Sequence, residues 1–384
     1  MFVEIHLLQS FAPSNLNRDD TGSPKDCEFG GARRARISSQ CLKRAMRTDP
    51  SFAAATRVPL GQRTKRMVKL LRDKLETAGK SPEQAEAVAA AFVEKYASKF
   101  DSKTTGANKE TQTVVLLYVA EGELQTIAEA LCENWDKLTT GDKAAETATA
   151  QLAKDLTKQH KEVTSAPDIA LFGRMLAEKP ELNLNAACQV AHALSTHRVA
   201  MEMDFYTAVD DLLGRDEPGA GMMGVQGYDS ACYYRYARID WEQLVKNLGG
   251  DKDAAELALK TVDGFLQASL RAVPSGKQNS HAAYNPPSLA LAVVRKDGMA
   301  WNLANAFEQP VRAEGDSGYV APSLKRLDGY WGELCATYGQ ETLLSVSVLR
   351  CGVGDVELKH LAAHTVTGEA AWRQAVLNAL QNGG

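Results

Sequence analysis

The uneven distribution of strand-like and helix-like segments is the feature that most constrains the fold of this chain. Four runs have the alternating or wholly apolar character of strands: residues 2–8, 228–239, 289–294 and 343–349. Residues 63–162 are predicted to be mostly helical, and shorter helices are predicted over 186–197 and 372–380. A doubly wound parallel sheet would require strands and helices to alternate regularly. The pattern therefore predicts an α+β fold with a helical insertion.

Length and composition exclude several classes of protein. A chain of 384 residues can form two or three structural units with a sizeable core. It contains no run of about 18 apolar residues, and its first residues include Glu4 and no basic cluster, so neither a membrane span nor a secretory signal is predicted. Seven cysteines without a Cys-x-x-Cys pair argue against a disulfide framework and a structural zinc site. We expect a cytoplasmic protein without metal or cofactor.

Positive charge is concentrated in one part of the chain. The net charge is −4, yet residues 33–80 contain fourteen Lys and Arg against three acids, a local balance of +11 that leaves −15 for the rest. Residues 30–47 contain six basic residues and no acid. Because solvated faces usually mix both signs, this block favours a polyanion-binding surface. The acidic remainder also fits a subunit that docks basic against acidic surface on its neighbours.

The basic block contains a predicted helix start. A polar, loop-like stretch over residues 10–31 precedes it, and Ser38-Ser39 has the character of an N-cap. A helix N-terminus flanked by arginines suits phosphate, because its first N–H groups point outward.

This helix is predicted to have two faces. Lys43 and Arg47 lie four residues apart with Arg44 beside them, whereas Leu42 and Met46 can face the core.

Three other patterns resemble chemical motifs by coincidence. Residues 219–224 match G-x-G-x-x-G but lack the preceding apolar strand and following helix of a dinucleotide site, so a flexible loop tip is predicted. Residues 315–318 resemble the serine segment of trypsin-like proteases, but the candidate histidine, His364, follows it, which reverses the order in that class. His360 and His364 are four apart, yet no HExxH pattern surrounds them.

Residues 204–207, Asp-Phe-Tyr-Thr, allow two interpretations. Aromatic side chains can stack on unpaired bases, but a strand would bury one of them in a core, and the residues alone favour the core. His197-Arg198, at the end of the helix predicted over 186–197, is likewise either a favourable charge at a helix C-terminus or an RNA contact.

Several segments resemble a known family. SFAPSNLNRDD at 10–20, FGGARRARISSQ at 29–40 and LKRAMR at 42–47 closely resemble the CasC family, the backbone subunits of the type I-E CRISPR surveillance complex Cascade. The similarity continues in five short segments: residues 172–175, 191–197, 205–211, 234–237 and 304–308. It therefore covers nearly the whole chain and is weakest over residues 75–165.

The resemblance implies a protein shaped like a right hand. Its parts would be an RRM-like (ferredoxin-like) palm, a helical fingers insertion and an extended thumb β-hairpin. The boundaries implied are palm over 1–74, 166–197 and 233–384, fingers over 75–165, and thumb over 198–232. Copies would stack in a helical filament along one CRISPR RNA, together with other Cascade subunits, and each thumb would kink the RNA and flip out a base. The exposed guide segments would pair with target DNA. The family is not known as a nuclease, so no catalytic residue is expected.

The resemblance also assigns RNA-binding residues. Contacts to the RNA backbone are carried over to Ser38, Gln40, Lys43, Arg44 and Arg47, with Arg18, Arg33, Arg34 and Arg36 as helpers. The thumb wedge corresponds to Phe205, Tyr206 and Thr207, with Met175 on the palm side of the kink. Arg174, His197 and Arg198 complete the predicted set.

Two alternatives of other classes remain open. Related RRM-like proteins cleave CRISPR repeats, and such an endoribonuclease would need a general base, for which His197 is the only histidine near the predicted RNA path. A nonspecific single-strand-binding protein would bind RNA and DNA alike and would show no defined subunit count per guide.

Overall fold

The computed structural model describes residues 1–102, 110–209, 220–313, 315, 318–354 and 356–383. The chain forms two compact units. The first unit contains residues 1–52, 189–238 and 263–384, and the second contains 53–188 and 239–262. The helical insertion predicted over 75–165 falls within the second unit, and its boundaries as a fingers domain stay a prediction.

Eleven strands occur in the described part of the chain. They are β1 (Phe2–Ser14), β2 (Asp26–Phe29), β3 (Ala32–Ile37), β4 (Gln62–Thr64), β5 (Leu117–Val119), β6 (Cys188–Val190), β7 (Ala193–Ser195), β8 (Glu202–Val209), β9 (Ala220–Asp240), β10 (Leu289–Arg295) and β11 (Leu343–Arg350).

Thirteen α-helices occur in the same residues. They are α1 (Ser39–Thr48), α2 (Pro50–Thr56), α3 (Met67–Thr77), α4 (Pro82–Tyr96), α5 (Glu121–Glu133), α6 (Trp135–Leu138), α7 (Lys143–Gln159), α8 (Pro167–Phe172), α9 (Trp241–Asn247), α10 (Lys252–Arg271), α11 (Gln278–His281), α12 (Val320–Tyr338) and α13 (Glu369–Gly383). None of the helices in these residues is long and apolar enough to cross a membrane.

The first unit is built on a nine-stranded sheet. Its main path runs in the order β11-β10-β1-β9-β7-β3-β2, and β6 and β8 also pair with β9. β1 pairs antiparallel with β10, from Phe2 opposite Arg295 to Leu8 opposite Leu289. Both strands are buried along almost their whole length, because helices cover both faces of the sheet. Leu8 packs with Leu324 of α12 in one cluster, and Leu7 lies against α1 on the opposite face.

β1 contains buried polar residues, which interrupt its alternation of apolar and polar residues. Glu4 forms an ion pair with Arg295 (Oε2 to Nε 2.7 Å) and accepts hydrogen bonds from the Tyr236 hydroxyl and the Trp301 amide. Burial raises the pKa of Glu4, against the effect of Arg295. The Glu4 carboxylate is therefore satisfied within the protein.

The second unit is mostly helical. Its main core is formed by the apolar faces of α3, α4, α5 and α7, which contribute residues such as Leu71, Phe92, Ile127 and Leu156. β4 and β5 form a separate two-stranded antiparallel ribbon in this unit.

Most segment predictions are confirmed, and three are wrong. The α+β class, the helical stretch, the four strands and the closing helix are all present. The helix predicted over 186–197 is replaced by β6 and β7, which pair with β9. The loop predicted over 10–31 contains the end of β1 and all of β2. The loop tip predicted over 219–224 is wrong for 220–224, which belong to β9, and residues 210–219 lie outside the described residues. The RRM-like character of the palm stays a prediction.

Candidate nucleic-acid interface

The basic segment folds as an antiparallel β2–β3 hairpin leading into α1. The Ser38 side chain caps α1 by accepting a hydrogen bond from the Cys41 amide (3.3 Å), as the sequence predicted. The Ser38 amide donates to the Asn17 side-chain oxygen (2.8 Å), which fixes the loop before β2 against the helix start. Leu42 and Met46 are buried. The predicted division of α1 into a core face and a basic face is confirmed.

Cations from three elements gather around the start of this helix. Arg36 of β3 hydrogen-bonds His192 Nδ1 (3.0 Å). Burial lowers the pKa of His192, and the charges of Arg36 and Lys25 lower it further. Burial raises the pKa of the Cys41 thiol, and Lys25 and Arg44 oppose that rise. These effects place Lys25, Arg36 and Arg44 in one region of positive potential. We call Arg18, Lys25, Arg36, Lys43, Arg44 and Arg47 the basic surface.

The predicted contact residues of this segment differ in exposure. Three are exposed, namely Arg18, Gln40 and Arg44, and two are half-buried, namely Lys43 and Arg47. Ser38 is buried, and its hydroxyl is used in the helix cap. Arg33 is also exposed, but it forms an ion pair with Asp26 across the β2–β3 hairpin.

Arg34 holds the fold together and is not presented to solvent. Its side chain is 0% exposed. Its guanidinium donates to four backbone carbonyls, those of Phe29 (3.2 Å), Ser195 (3.1 Å), Phe307 (2.8 Å) and Glu308 (3.0 Å). Its donors are thus used inside the protein, so the structure gives no support to the prediction that Arg34 helps to bind RNA.

Arg174 has a comparable internal role in the second unit. Its NH1 donates to both carboxylate oxygens of Glu123 (2.9 and 2.7 Å), and its Nε donates to the Leu182 carbonyl (2.8 Å). The side chain is 2% exposed, so the structure gives no support to the predicted RNA contact by Arg174. The neighbouring Met175 is 85% exposed.

The second half of the basic stretch in residues 33–80 is neutralised locally. In α3 and the residue before it, Arg66 and Lys69 lie 2.8 and 3.4 Å from Glu110, and Lys74 lies 2.5 Å from Glu121. The balance of +11 counted along the sequence therefore overstates the charge that the folded chain presents.

His197 is buried, with both ring nitrogens in hydrogen bonds. Its Nε2 accepts from the Cys232 amide (3.2 Å), so Nδ1 carries the proton and donates to the Arg198 carbonyl (2.9 Å). Burial lowers the pKa of His197 and keeps the ring neutral. Its ring stacks on Tyr319 with centroids 3.6 Å apart. Neither nitrogen is available to a ligand, whereas the Arg198 side chain is exposed.

β8 and the first part of β9 form a hairpin with an exposed apolar face. Phe205 pairs with Val225, Thr207 with Met223, and Met203 with Gly227. Directly paired residues of an antiparallel ladder point to the same side. Met203, Phe205, Met223 and Val225 therefore share one face, which we call the apolar hairpin face, and each is between 60% and 66% exposed. Met203, Met223 and Val225 were not among the residues predicted from the sequence, although alternation in both strands could have identified them.

Tyr206 lies on the opposite face of the hairpin and packs across the ladder. It pairs with Gly224, and a Cβ at Gly224 would lie 2.4 Å from the Tyr206 Cζ. The absence of a side chain at Gly224 therefore makes room for the ring. Of the three predicted wedge residues, Phe205 and Thr207 share a face and Tyr206 does not.

The root of the hairpin is tied to the loop that carries Arg18 and Lys25. The Asn15 amide donates to the carbonyls of Gly22 (3.0 Å) and Gly227 (2.9 Å). A Cβ at Gly227 would lie 3.1 Å from Pro24 Cδ, so the strand and the loop are in close contact. The basic surface and the apolar hairpin face therefore belong to one connected part of the first unit.

This arrangement suits a single-stranded nucleic acid. Lys and Arg side chains bind backbone phosphates without reading sequence, and exposed apolar and aromatic side chains stack on or separate unpaired bases. Among the described residues no group of three or more His, Cys, Asp and Glu is arranged to hold a metal ion.

Comparisons with known proteins point in the same direction. The model of a family described as CT1975-like protein matches residues 3–373. No curated protein matches the chain. A chain of a solved structure titled "CRISPR RNA-guided surveillance complex, pre-nicking" is similar, with a TM-score of 0.83 and 29% identity over 99% of this chain and 100% of that chain. A chain of another, titled "CRISPR RNA-guided surveillance complex", has a TM-score of 0.73 and 25% identity over 99% of this chain and 100% of that chain.

The family match covers nearly the whole chain, and both structural matches are subunits of CRISPR surveillance complexes. The resemblance to CasC-type backbone subunits that the sequence suggested is thereby confirmed. The chain belongs to the Cas_CT1975 family of CT1975-like proteins.

Proposed function

We propose that the protein is a non-catalytic backbone subunit that binds CRISPR RNA in a type I-E Cascade surveillance complex. Copies of the chain would assemble along one guide RNA, with the sheet unit as an RRM-like palm, the helical unit as fingers and the β8–β9 hairpin as the thumb. Segments of guide between thumbs would pair with target DNA. The observation that carries this proposal is the basic surface joined through Asn15 and Pro24 to the root of an exposed apolar hairpin.

The chemistry of guide binding supports this assignment. A guide varies in sequence, so a subunit that holds every guide must rely on phosphates and stacking. The basic surface supplies cations, and the apolar hairpin face supplies Phe205 beside two methionines. Specificity would then come from base pairing between guide and target.

The endoribonuclease alternative finds less support. A general base must reach the proton that it removes, and His197 uses both ring nitrogens inside the protein. We expect the pure protein to leave a CRISPR-repeat RNA intact. Cleavage that His197→Ala abolishes would instead establish the nuclease.

The proposal is tested by equilibrium binding to a guide-length single-stranded RNA over a range of salt concentrations. For single strands the slope of log affinity against log salt is about −0.7 per phosphate neutralised. The variant Lys43→Ala/Arg44→Ala/Arg47→Ala should bind more weakly, with a slope flatter by roughly 2.

A matched control removes three lysines of the second unit, Lys154→Ala/Lys158→Ala/Lys161→Ala, which are exposed on or just after α7. This control should keep the wild-type slope. Equal slopes for wild type and the α1 variant would refute the assignment of RNA to the basic surface. Equal affinity for DNA of the same length, without a fixed number of subunits per strand, would favour the nonspecific single-strand-binding alternative.

A further inference from the structure

A large cleft lies in the first unit, beside the turn between β2 and β3. Its volume is about 1420 Å³, and it is bordered by Gly30, Arg198, Arg312, Tyr319, Lys325 and Arg326. Sites for one small molecule are usually about 300–1,000 Å³ in volume. The size of this cleft suits several linked units of a polymer better than a single small ligand.

The described lining of the cleft contains several basic residues. Four of the residues that border it are Arg or Lys, and none of its described lining residues is acidic. The positive charge of Arg198 and Arg326 also affects the pKa of the buried Arg34. Burial is the main cause of its lowered pKa, and Arg198 and Arg326 lower it further, against the opposite effect of Glu308. A cluster of like charges of this kind is stabilised by an anionic ligand.

Tyr319 supplies a fixed aromatic surface in the same cleft. It is 39% exposed, and it stacks on His197 at 3.6 Å with the two rings 8° from parallel. Both ring nitrogens of His197 take part in hydrogen bonds inside the protein. The stacked rings of His197 and Tyr319 are therefore held in position before any ligand binds. Base stacking on a pre-positioned aromatic side chain contributes about 1–3 kcal/mol per base.

Gly30 lies in the β2–β3 turn at the border of the cleft. It has a positive φ of 59°, and a Cβ there would lie 1.8 Å from the Glu308 carbonyl oxygen. The turn therefore packs backbone to backbone against residue 308, which Arg34 also holds. This close contact holds the turn in place beside the cleft.

We propose that this cleft is a second subsite for single-stranded RNA, in which Tyr319 stacks on a base while Arg198, Arg312 and Arg326 contact the flanking phosphates. The subsite deepens the proposed function, on which it rests, because it assigns Tyr319, Arg312 and Arg326 to the same RNA that the basic surface binds. Cations around an exposed aromatic ring are the arrangement that single-strand-binding sites use.

Two measurements on the full chain test this subsite. The first is photo-crosslinking of a guide-length RNA that contains 4-thiouridine, followed by peptide mapping. We expect a crosslink in the peptide that contains Tyr319, and its loss in Tyr319→Leu. The second is the salt slope of RNA binding, which Arg312→Ala/Arg326→Ala should flatten by about 1.4, at about 0.7 per phosphate.

Because Arg326 also donates to the Gln309 carbonyl (2.8 Å), the single variant Arg312→Ala provides a check that does not disturb this contact. It should flatten the slope by about 0.7. The charge-matched control Lys154→Ala/Lys161→Ala should keep the wild-type slope.

The outcomes separate the two proposals. If the α1 triple variant weakens binding but the cleft variants do not, and no crosslink forms at Tyr319, the cleft subsite is refuted and the proposed function stands. If crosslinks form at Tyr319 and the α1 variant has no effect, the cleft is an RNA site and the basic surface is not. A chain that binds no RNA refutes both.

Discussion

Replacing Arg34 by Met should destabilise the protein strongly, whereas the same change at the adjacent Arg33 should not. Methionine keeps an unbranched side chain of similar length but removes every donor. The four carbonyls that Arg34 satisfies belong to Phe29, Ser195, Phe307 and Glu308, which come from three separate parts of the chain. Arg34→Met therefore removes a contact that fixes the β2–β3 turn to the rest of the first unit.

The size of the effect can be worked from these contacts. A buried polar group left without a partner costs about 1–3 kcal/mol. If two of the four carbonyls find no new partner, the free energy of unfolding falls by about 2–6 kcal/mol. Removing the buried guanidinium charge also removes its desolvation cost, so the expected central value is about 3 kcal/mol. In a unit of roughly 220 residues, each kcal/mol lowers the Tm by about 2–4 °C. We expect Arg34→Met to lower the Tm by about 6–12 °C.

Tryptophan fluorescence during heating is a suitable assay. Trp301, Trp331 and Trp372 report on the first unit, while the other two tryptophans lie in the second. Arg33→Met removes only an exposed ion pair with Asp26, which contributes little to stability because the surrounding water screens it. Tm values for the two variants within 2 °C of each other would refute the assignment of Arg34 as a structural residue.

Two further predictions concern the hairpin and the pH dependence of stability. Phe205→Ala should weaken binding of single-stranded RNA by about 5- to 150-fold, the equivalent of 1–3 kcal/mol of stacking, without changing the salt slope. Tyr338→Ala, which removes another exposed aromatic ring, is the control and should leave affinity unchanged. Burial raises the pKa of Asp229 from 3.8 to about 6, so the folded state keeps a proton that the unfolded state releases, and stability should fall by about 3 kcal/mol as the pH rises from about 4 through 6. Asp229→Asn should abolish this fall in Tm, and an unchanged pH profile would show that Asp229 does not cause it.

Local patterns were sufficient to predict much of the fold. The strand at residues 289–294 and the helix at 372–380 each have a strong apolar pattern, and β10 and α13 form there with slightly wider bounds. The N-cap at Ser38 was readable because a serine that precedes an amphipathic segment satisfies an otherwise unpaired N–H. These features depend on a few neighbouring residues.

Residues 186–197 show where local patterns fail. Their spacing of small and apolar residues suits a helix, but β7 pairs with β3 through Leu194 opposite Arg36 and with β9 through Leu194 opposite Tyr234. The partners lie tens or more than a hundred residues away along the chain. Tertiary pairing therefore overrides a weak local preference, which sequence spacing alone does not reveal.

The three arginines of β3 show why the candidate site was harder to predict than the fold. Arg33 is exposed and pairs with Asp26, Arg34 is buried against four carbonyls, and Arg36 contacts His192. Strand alternation puts Arg34 and Arg36 on one side of β3, yet only Arg34 meets carbonyls that the fold brings from residues 195 and 307–308. The residue type shows that a side chain can bind phosphate, whereas its availability depends on which distant groups the fold places beside it. The proposed RNA contacts of the basic block therefore leave out Arg34, and counting charge along the sequence overstates the number of cations available to RNA.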